Sequence, residues 1–380
     1  MEQKKSRYVY IDLLRGWAVL VMIETHVINA FMLPAMRDTS WFKVLNFING
    51  LVAPSFLFIA GYSFAMIAQR KWNDYLSFNA VFRKQVGRIL QVLLVGYTLH
   101  IPFFSFNKLC IIPWEEWANF WKVDVLHCIA SSLLFLLLTV IVTRTPKRFL
   151  LTTSIICGGV IFLTPLMYTA NFDSIFPVPI ANYLNAFHGS LFPLFPWMGF
   201  ILMGAILGQL VTLFKNKFGE TSVFKYIFIA GAAIIISALI IATLPFTVYP
   251  PHNFWRASPW FYFIRLGIVL LILATLWYWE QTAKSGKSIV SVVGSESLVA
   301  YAGHLLVIYG LFFDGESFSS LIGRTRTVPE VIGMAVILLT ATIFVSYIWN
   351  VIKNKSMLYA RIVQYTLLVI VLYVFFTKPF

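Results

Sequence analysis

The sequence predicts an all-α polytopic integral membrane protein with about eleven transmembrane helices. Of its 380 residues, 59% are hydrophobic and only 12% are charged, whereas ordinary soluble domains carry about a quarter of charged residues. The apolar residues form continuous runs of roughly 20, which is the length that crosses a bilayer as a helix. Continuous runs argue against a membrane β-barrel, whose strands alternate apolar and polar residues. The low charge argues against a disordered chain and a soluble enzyme.

Each of the predicted spans is an apolar segment of this length. They lie near residues 10–35, 47–69, 86–106, 124–143, 148–168, 191–214, 224–244, 260–281, 290–313, 329–352 and 359–377. Loops on alternate sides differ in their content of Lys and Arg, and the richer side begins with Lys4, Lys5 and Arg7. Cytoplasmic loops carry the excess of positive charge. The pattern therefore predicts a cytoplasmic N-terminus and an outside C-terminus.

Neither the loops nor the cysteines indicate a second domain or a metal site. The longest loops, 105–123, 169–190, 245–259 and 314–328, fall on the predicted outer side. No long linker divides the sequence, so residues 1–380 are predicted to form a single transmembrane domain. The three cysteines, Cys110, Cys128 and Cys157, are too scattered for a disulfide framework or a metal motif. The net charge of +14 is attributed to loop residues that set topology rather than to nucleic-acid binding. The sequence does not indicate the oligomeric state, and a homodimer is one of the states it allows.

The first predicted span carries an unusual load of polar residues. At about 100° per residue, Asp12, Arg15, Met22 and His26 share one side of a helix, and Glu24 points away from them. His26 lies about 16 Å along the helix from Arg15. A charged residue inside a span is costly, which favours a functional role. Alternatively, Asp12 and Arg15 neutralise each other, and His26 bonds a neighbouring helix.

Further polar residues lie in or near other spans. A basic group beside the third span, formed by Arg83, Lys84 and Arg88, suits phosphate, although topology or lipid head groups also account for it. The remaining candidates are His100, Asp124, His127, Arg265, Glu296, Ser297 and His304. For each histidine alone, packing or interhelical bonding is the commoner role.

Five segments, in this order, resemble the heparan-α-glucosaminide N-acetyltransferase catalytic-domain family, within the wider group of transmembrane acyltransferases. They read RYVYIDLLRGWAVLVM (7–22), APSFLFIAG (53–61), VLHCI (125–129), FPWMG (195–199, continuing to Gly204 and Gly208) and GSESLVAYAGH (294–304). The resemblance covers about residues 7–310. It implies about ten or eleven helices and the transfer of an acetyl group from cytoplasmic acetyl-CoA to a sugar amine or hydroxyl across the membrane. His26 matches a first-span histidine of the wider group, while the following loop has Arg37 and no histidine.

Together the residues and the resemblance predict an acyl-CoA-dependent glycan acetyltransferase, in a bacterial cytoplasmic membrane, that uses no metal. The candidate catalytic residues are His26 as general base, Asp12 and Arg15 on its stripe, and Arg265 or His304 as donors to the oxyanion. The candidate residues for the phosphates of acetyl-CoA are Arg15, Arg83, Lys84 and Arg88. The alternative is a proton-coupled secondary transporter, in which the buried Asp12, Arg15, Glu24 and His26 relay protons. A membrane scaffold without turnover is a further alternative.

Overall fold

The computed structural model of the chain describes residues 8–244, 248–283, 288–311 and 315–378, and within these ranges the regular structure is helical. Lys4, Lys5, Arg7, Lys284 and Lys287, which entered the comparison of loop charges, lie outside the described residues. The α-helices are α1 (Val9–Phe31), α2 (Ser40–Asn49), α3 (Val52–Arg70), α4 (Trp72–Leu76), α5 (Ala80–Leu99), α6 (Phe106–Leu109), α7 (Val125–Thr143), α8 (Pro146–Thr169), α9 (Val178–Leu184), α10 (Leu194–Phe218), α11 (Glu220–Ala242), α12 (Phe254–Ala257), α13 (Pro259–Ala283), α14 (Ile289–Ser295), α15 (Ser297–Tyr309), α16 (Phe318–Ile322), α17 (Val328–Lys355) and α18 (Met357–Thr377).

The predicted fold class is confirmed: the chain is an all-helical, polytopic membrane protein. Eight helical segments of the described chain are long and apolar enough to cross a membrane, and a bent pair of helices raises the number to nine. The first and third predicted spans form α1 and α5, helices of 23 and 20 residues that are long enough but carry several charged residues. The total of eleven and the orientation stay predictions.

The described part of the ninth predicted span, 290–313, is not one continuous helix. Its described part forms α14 and α15, which meet at Glu296 with a bend of 85°. The Glu296 carboxylate is buried at the corner. It accepts hydrogen bonds from the Lys353 ammonium at 2.5 and 2.6 Å and from the Asn350 amide at 2.8 Å, both on α17. The corner is thus tied to a neighbouring helix by an ion pair.

Removal of this ion pair is expected to destabilise the protein. Lys353→Met leaves the buried carboxylate of Glu296 without its cation, and a hydrogen bond to a charged group contributes about 1.5–3 kcal/mol. Lys355→Met is the matched control, because Lys355 is exposed two residues further along the same helix. Thermal unfolding in detergent is the measurement. Equal melting temperatures for the two variants would contradict a stabilising role for the pair.

The described chain divides into two compact units that alternate along the sequence. The first comprises Met1–Val52, Leu99–Phe120 and Ser285–Phe380, and the second Ala53–Thr98 and Trp121–Lys284. The single transmembrane domain predicted over residues 1–380 stays a prediction.

In the first unit, α1 packs directly against α14, backbone to backbone. A Cβ atom on Gly16 would overlap the carbonyl oxygen of Val290, and one on Gly294 would overlap the carbonyl oxygen of Asp12. Only glycine permits so close an approach of two helices. Beyond this contact, an apolar cluster that includes Val27, Phe31 and Ile308 packs the C-terminal half of α1 against α15. The two contacts fix α1 relative to both halves of the broken span.

In the second unit, aromatic side chains join the long helices. Phe224 of α11 stacks on Trp277 of α13, with ring centroids 4.4 Å apart. Phe200 of α10 lies 4.2 Å from Tyr262 of α13. Aromatic pairs at these separations contribute about 0.5–1.5 kcal/mol beyond the burial of their area. The unit is therefore held by aromatic packing along its helices.

Candidate active site

Two histidines from distant parts of the sequence meet in the first unit. Nδ1 of His26, on α1, lies 3.0 Å from Nε2 of His304, on α15. Nδ1 of His304 lies 2.8 Å from the carbonyl oxygen of Ala300, one turn earlier in the same helix. His304 is fully buried and His26 is partly exposed. The pair thus has an inner and an outer member.

These contacts set the proton positions of the neutral pair. A carbonyl oxygen only accepts hydrogen bonds, so Nδ1 of His304 carries the proton and donates it to Ala300. Nε2 of neutral His304 is then an acceptor, which requires Nδ1 of His26 to donate. The remaining nitrogen of His26, Nε2, keeps its lone pair. A base oriented by a second group in this way has the arrangement of activated bases in enzymes.

Two tyrosine rings contact the histidine pair. Tyr309, at the end of α15, meets His26 edge to face with ring centroids 6.2 Å apart. Tyr301 meets His304 in the same way at 5.7 Å. Both tyrosines lie on α15, so the helix after the break carries His304 and both rings around the pair.

The polar stripe predicted on the first span lies on one continuous helix, α1. Asp12 and Met22 are buried on it, and Arg15 is partly exposed. Glu24 forms a side-chain hydrogen bond with Asn49 in α2. The structure therefore brings His304, and not Glu24, to His26.

The other candidates lie in the second unit or have structural roles. Arg265, on α13, lies over the ring of Phe261 at 4.0 Å and near that of Trp197 at 5.8 Å. Asp124 and His127 form the capping box of α7, in which the backbone N–H of Asp124 donates to Nδ1 of His127. This agrees with a packing role for His127 and gives Asp124 the role of a helix cap.

The basic candidates for phosphate binding lie on the first turns of α5, in the second unit. Arg83, Lys84 and Arg88 are exposed. Lys84 and Arg88 are four residues apart and share one side of the helix. Their exposure leaves the three cations accessible to an anionic ligand. Among the described residues, no group of three His, Cys, Asp or Glu side chains is placed to hold a metal ion.

Comparison with protein families decides the identity of the chain. Residues 7–241 match the family described as heparan-alpha-glucosaminide N-acetyltransferase, catalytic. The chain belongs to this family. The heparan-alpha-glucosaminide N-acetyltransferase family is one of membrane acetyltransferases, and the match confirms the resemblance carried by the first four sequence segments. The fifth segment, which contains His304, lies beyond the matched residues. No curated protein matches the chain.

Sequence reasoning named both histidines of this family member but missed that they form a pair. They are 278 residues apart, so no local spacing relates them. It also missed Tyr309, because a tyrosine near the end of an apolar span is common at membrane interfaces. The GSESLVAYAGH segment was the available signal for the importance of this region. It contains Glu296, which lies directly before α15, and His304, which lies within α15.

Proposed function

We propose that the protein transfers an acetyl group from cytoplasmic acetyl-CoA to an amine or hydroxyl of a sugar or glycan on the far side of the membrane. The observation that carries the proposal is the His26–His304 pair, with Nε2 of His26 left as a base. Family membership supports the reaction type. The stripe of Asp12, Arg15 and His26 along α1 supports a path that begins near one end of a helix and ends near the other.

In the proposed reaction, Nε2 of His26 takes the proton of the acceptor as the acceptor attacks the thioester carbon. A C–N or C–O bond forms, the C–S bond breaks, and the proton passes to the leaving CoA thiolate. The products are the acetylated sugar and the free thiol of CoA, so no oxidant or reductant is required. While His26 holds the proton, His304 accepts the hydrogen bond from its Nδ1–H, which stabilises the imidazolium.

This arrangement changes the role of His304 from the one predicted. A donor to an oxyanion needs a free N–H, and the Nδ1–H of His304 already donates to Ala300. We assign His304 as the residue that positions His26. Arg265 remains the proposed oxyanion donor, and Asp12 is proposed to balance the charge of Arg15. Arg15, Arg83, Lys84 and Arg88 are proposed to bind the phosphates of acetyl-CoA, since guanidinium and ammonium groups pair with phosphate.

The experiment that tests this function is consumption of acetyl-CoA by purified protein in detergent, with a panel of glucosamine-containing acceptors. Release of thiol that depends on the acceptor is expected. A second readout is thermal unfolding with and without CoA, because a ligand that binds only the folded state raises its stability. Absence of thiol release with every acceptor, together with an unchanged melting temperature in CoA, would overturn the proposal.

The phosphate-binding residues are tested by neutralising the basic group on α5. The double variant Lys84→Gln/Arg88→Gln is expected to raise KM for acetyl-CoA about tenfold and to change kcat little, since charge-assisted bonds to phosphate add binding energy. Lys71→Gln is the matched control, because it removes an exposed cation from the predicted loop before the third span, outside helix α5. An unchanged KM in the double variant would remove these residues from the CoA site.

One observation favours the second candidate, a proton-coupled transporter. Broken spans are typical of the binding sites of secondary transporters, and α14 and α15 form such a break. In proteoliposomes, uptake of an amino sugar that is driven by a pH gradient and proceeds without acetyl-CoA would support transport. Uptake that is absent, together with thiol release in detergent, would support the acetyltransferase.

A further inference from the structure

Lys378, directly after α18, contacts two backbone carbonyl oxygens from different parts of the first unit. Its Nζ donates to the carbonyl oxygen of Phe103 at 3.1 Å and to that of Leu311 at 2.8 Å. Its own carbonyl oxygen accepts a hydrogen bond from Oγ of Ser105 at 3.0 Å. Ser105 is buried and Lys378 is partly exposed. We call these four residues the Lys378 clamp.

One side of the Lys378 clamp holds a strained turn. The backbone φ angles of Phe103 and Phe104 are 56° and 48°, values that bulky side chains rarely adopt because Cβ crowds the backbone. Such conformations cost free energy and persist only where surrounding contacts fix them. Lys378 binds the carbonyl oxygen of Phe103, and the ring of Phe104 lies 5.5 Å from that of Phe375 in α18. The end of α18 therefore supports the turn.

The remainder of α18 makes few contacts with the protein. The helix is described throughout, and Ala360 is its only buried residue. Lipid tails are as apolar as its side chains, so this exposure requires no protein partner. Its end differs, because burial and the charge of Lys108 lower the pKa of Lys378. A cation held where the surroundings disfavour its charge favours a specific role for the Lys378 clamp.

The other side of the Lys378 clamp holds the chain where it leaves α15. This helix ends at Tyr309, and the backbone N–H of Gly310 caps it by donating to the carbonyl oxygen of Leu306. Leu311 follows the cap, and its carbonyl oxygen is the second acceptor of Lys378. Two residues of chain span at most about 7 Å. A contact at Leu311 therefore restricts where Tyr309 can lie.

Tyr309 connects the Lys378 clamp to the proposed catalytic base. Its ring meets that of His26 edge to face, with centroids 6.2 Å apart. The imidazole of His26 is supported by this ring and by the contact of its Nδ1 with His304. Both supports lie on α15, so the placement of this helix influences the direction of Nε2 of His26. A small misplacement of a catalytic group lowers the rate strongly.

We propose that Lys378 is a positioning residue for acetyl transfer, which holds the end of α15 so that Tyr309 stays against His26. The inference rests on the proposed function, because it concerns the same base. Lys378 acts through Tyr309 and not on the reacting atoms. Its loss is therefore expected to lower kcat and to leave the binding of acetyl-CoA unchanged.

The first test follows kcat, KM and the melting temperature of Lys378 variants. Lys378→Met removes the ammonium and is expected to lower kcat for thiol release about tenfold, with KM for acetyl-CoA unchanged. Lys378→Arg is expected to recover most of kcat, because a guanidinium also donates to carbonyl oxygens. Lys355→Met, which removes an exposed cation elsewhere in the same unit, is expected to match wild type. Wild-type kcat in Lys378→Met would overturn the proposal.

A double variant distinguishes positioning from general stabilisation. Tyr309→Ala removes the ring through which Lys378 is proposed to act. In the Tyr309→Ala background, Lys378→Met is expected to lower kcat no further, because effects that pass through one group are not additive. A loss of kcat that is equal in both backgrounds would assign Lys378 to stability independently of Tyr309 and would overturn the proposal.

Hydrogen exchange reports on the Lys378 clamp without any reaction, so it separates failure of this inference from failure of the proposed function. Lys378→Met is expected to speed amide exchange in residues 102–105 and 305–311 and to leave residues 220–242, in the second unit, as in wild type. This pattern supports the clamp even if no acetyl transfer is found. Unchanged exchange in both segments overturns the inference even if glucosamine is acetylated.

Ser105→Ala provides a milder variant for the case in which Lys378→Met does not fold. It removes only the hydrogen bond to the carbonyl oxygen of Lys378 and leaves the ammonium in place. We expect a smaller loss of kcat, an unchanged KM for acetyl-CoA and faster exchange in residues 305–311. Wild-type values of both kcat and exchange in this variant would contradict the proposal.

Discussion

Replacing His26 with alanine is expected to lower kcat for acetyl transfer about 10²- to 10⁴-fold, the range that general-base catalysis contributes. The variant loses Nε2 of His26, which carries no proton in the neutral pair and is the proposed base. Folding is expected to survive, because His26 is partly exposed. Thiol release and the melting temperature are measured together on the same preparation. Retained activity in a folded variant would move the base to another residue.

His304 provides a graded control for the same prediction. His304→Ala removes the acceptor for Nδ1–H of His26 and is expected to lower kcat roughly tenfold or more. His304→Gln offers an amide oxygen near the position of Nε2 and is expected to recover part of kcat. If His304 had only a structural role, both variants would lose the same fraction of kcat, and the loss of kcat would parallel the fall in melting temperature. His252→Ala, which alters a partly exposed loop histidine, is expected to match wild type.

Gly294→Ala is expected to destabilise the protein by about 3 kcal/mol, the upper part of the range for overpacking. The added Cβ would overlap the backbone carbonyl of Asp12, and a backbone atom has no rotamer through which to withdraw. Either α1 or α14 must then shift. Since α1 carries His26 and α14 leads into the helix of His304, the same change is expected to lower kcat. The melting temperature and thiol release in detergent are the measurements.

Gly303→Ala is the matched control for this prediction. Gly303 lies in α15, and a Cβ there meets nothing within 4 Å among the described residues. Exchange of a helical glycine for alanine at an open position stabilises by roughly 0.5–1 kcal/mol. The two Gly-to-Ala changes are therefore expected to shift the melting temperature in opposite directions. A shift of the same sign and size in both would contradict the close packing of α1 on α14.

Apolar length and composition were enough to predict most of the membrane helices. They were less informative where charge enters a span. α1 and α5 are long helices, but Asp12 and Arg15 in one and Arg83 and Arg88 in the other reduce their apolar character. The break in the ninth span falls at Glu296. No local pattern predicts that this residue pairs with Lys353, 57 residues away.

The candidate site was predictable residue by residue but not as an arrangement. Helical periodicity placed His26 on a polar side of α1 and Glu24 away from it, and the contacts of both residues agree. Periodicity within one helix does not report which side chain of another helix approaches. The tautomer of His26 depends on such an approach, that of His304.

The separation of 278 residues between His26 and His304 in the sequence has a consequence for the synthesis of the protein. At about 5–20 residues per second, a ribosome takes roughly 15 to 55 s to travel from one histidine to the other. During that time α1, with its polar residues, is in or near the membrane without α14 and α15. A chain that ends before residue 285 contains His26 but not His304, so it cannot form the histidine pair and is expected to lack acetyl transfer.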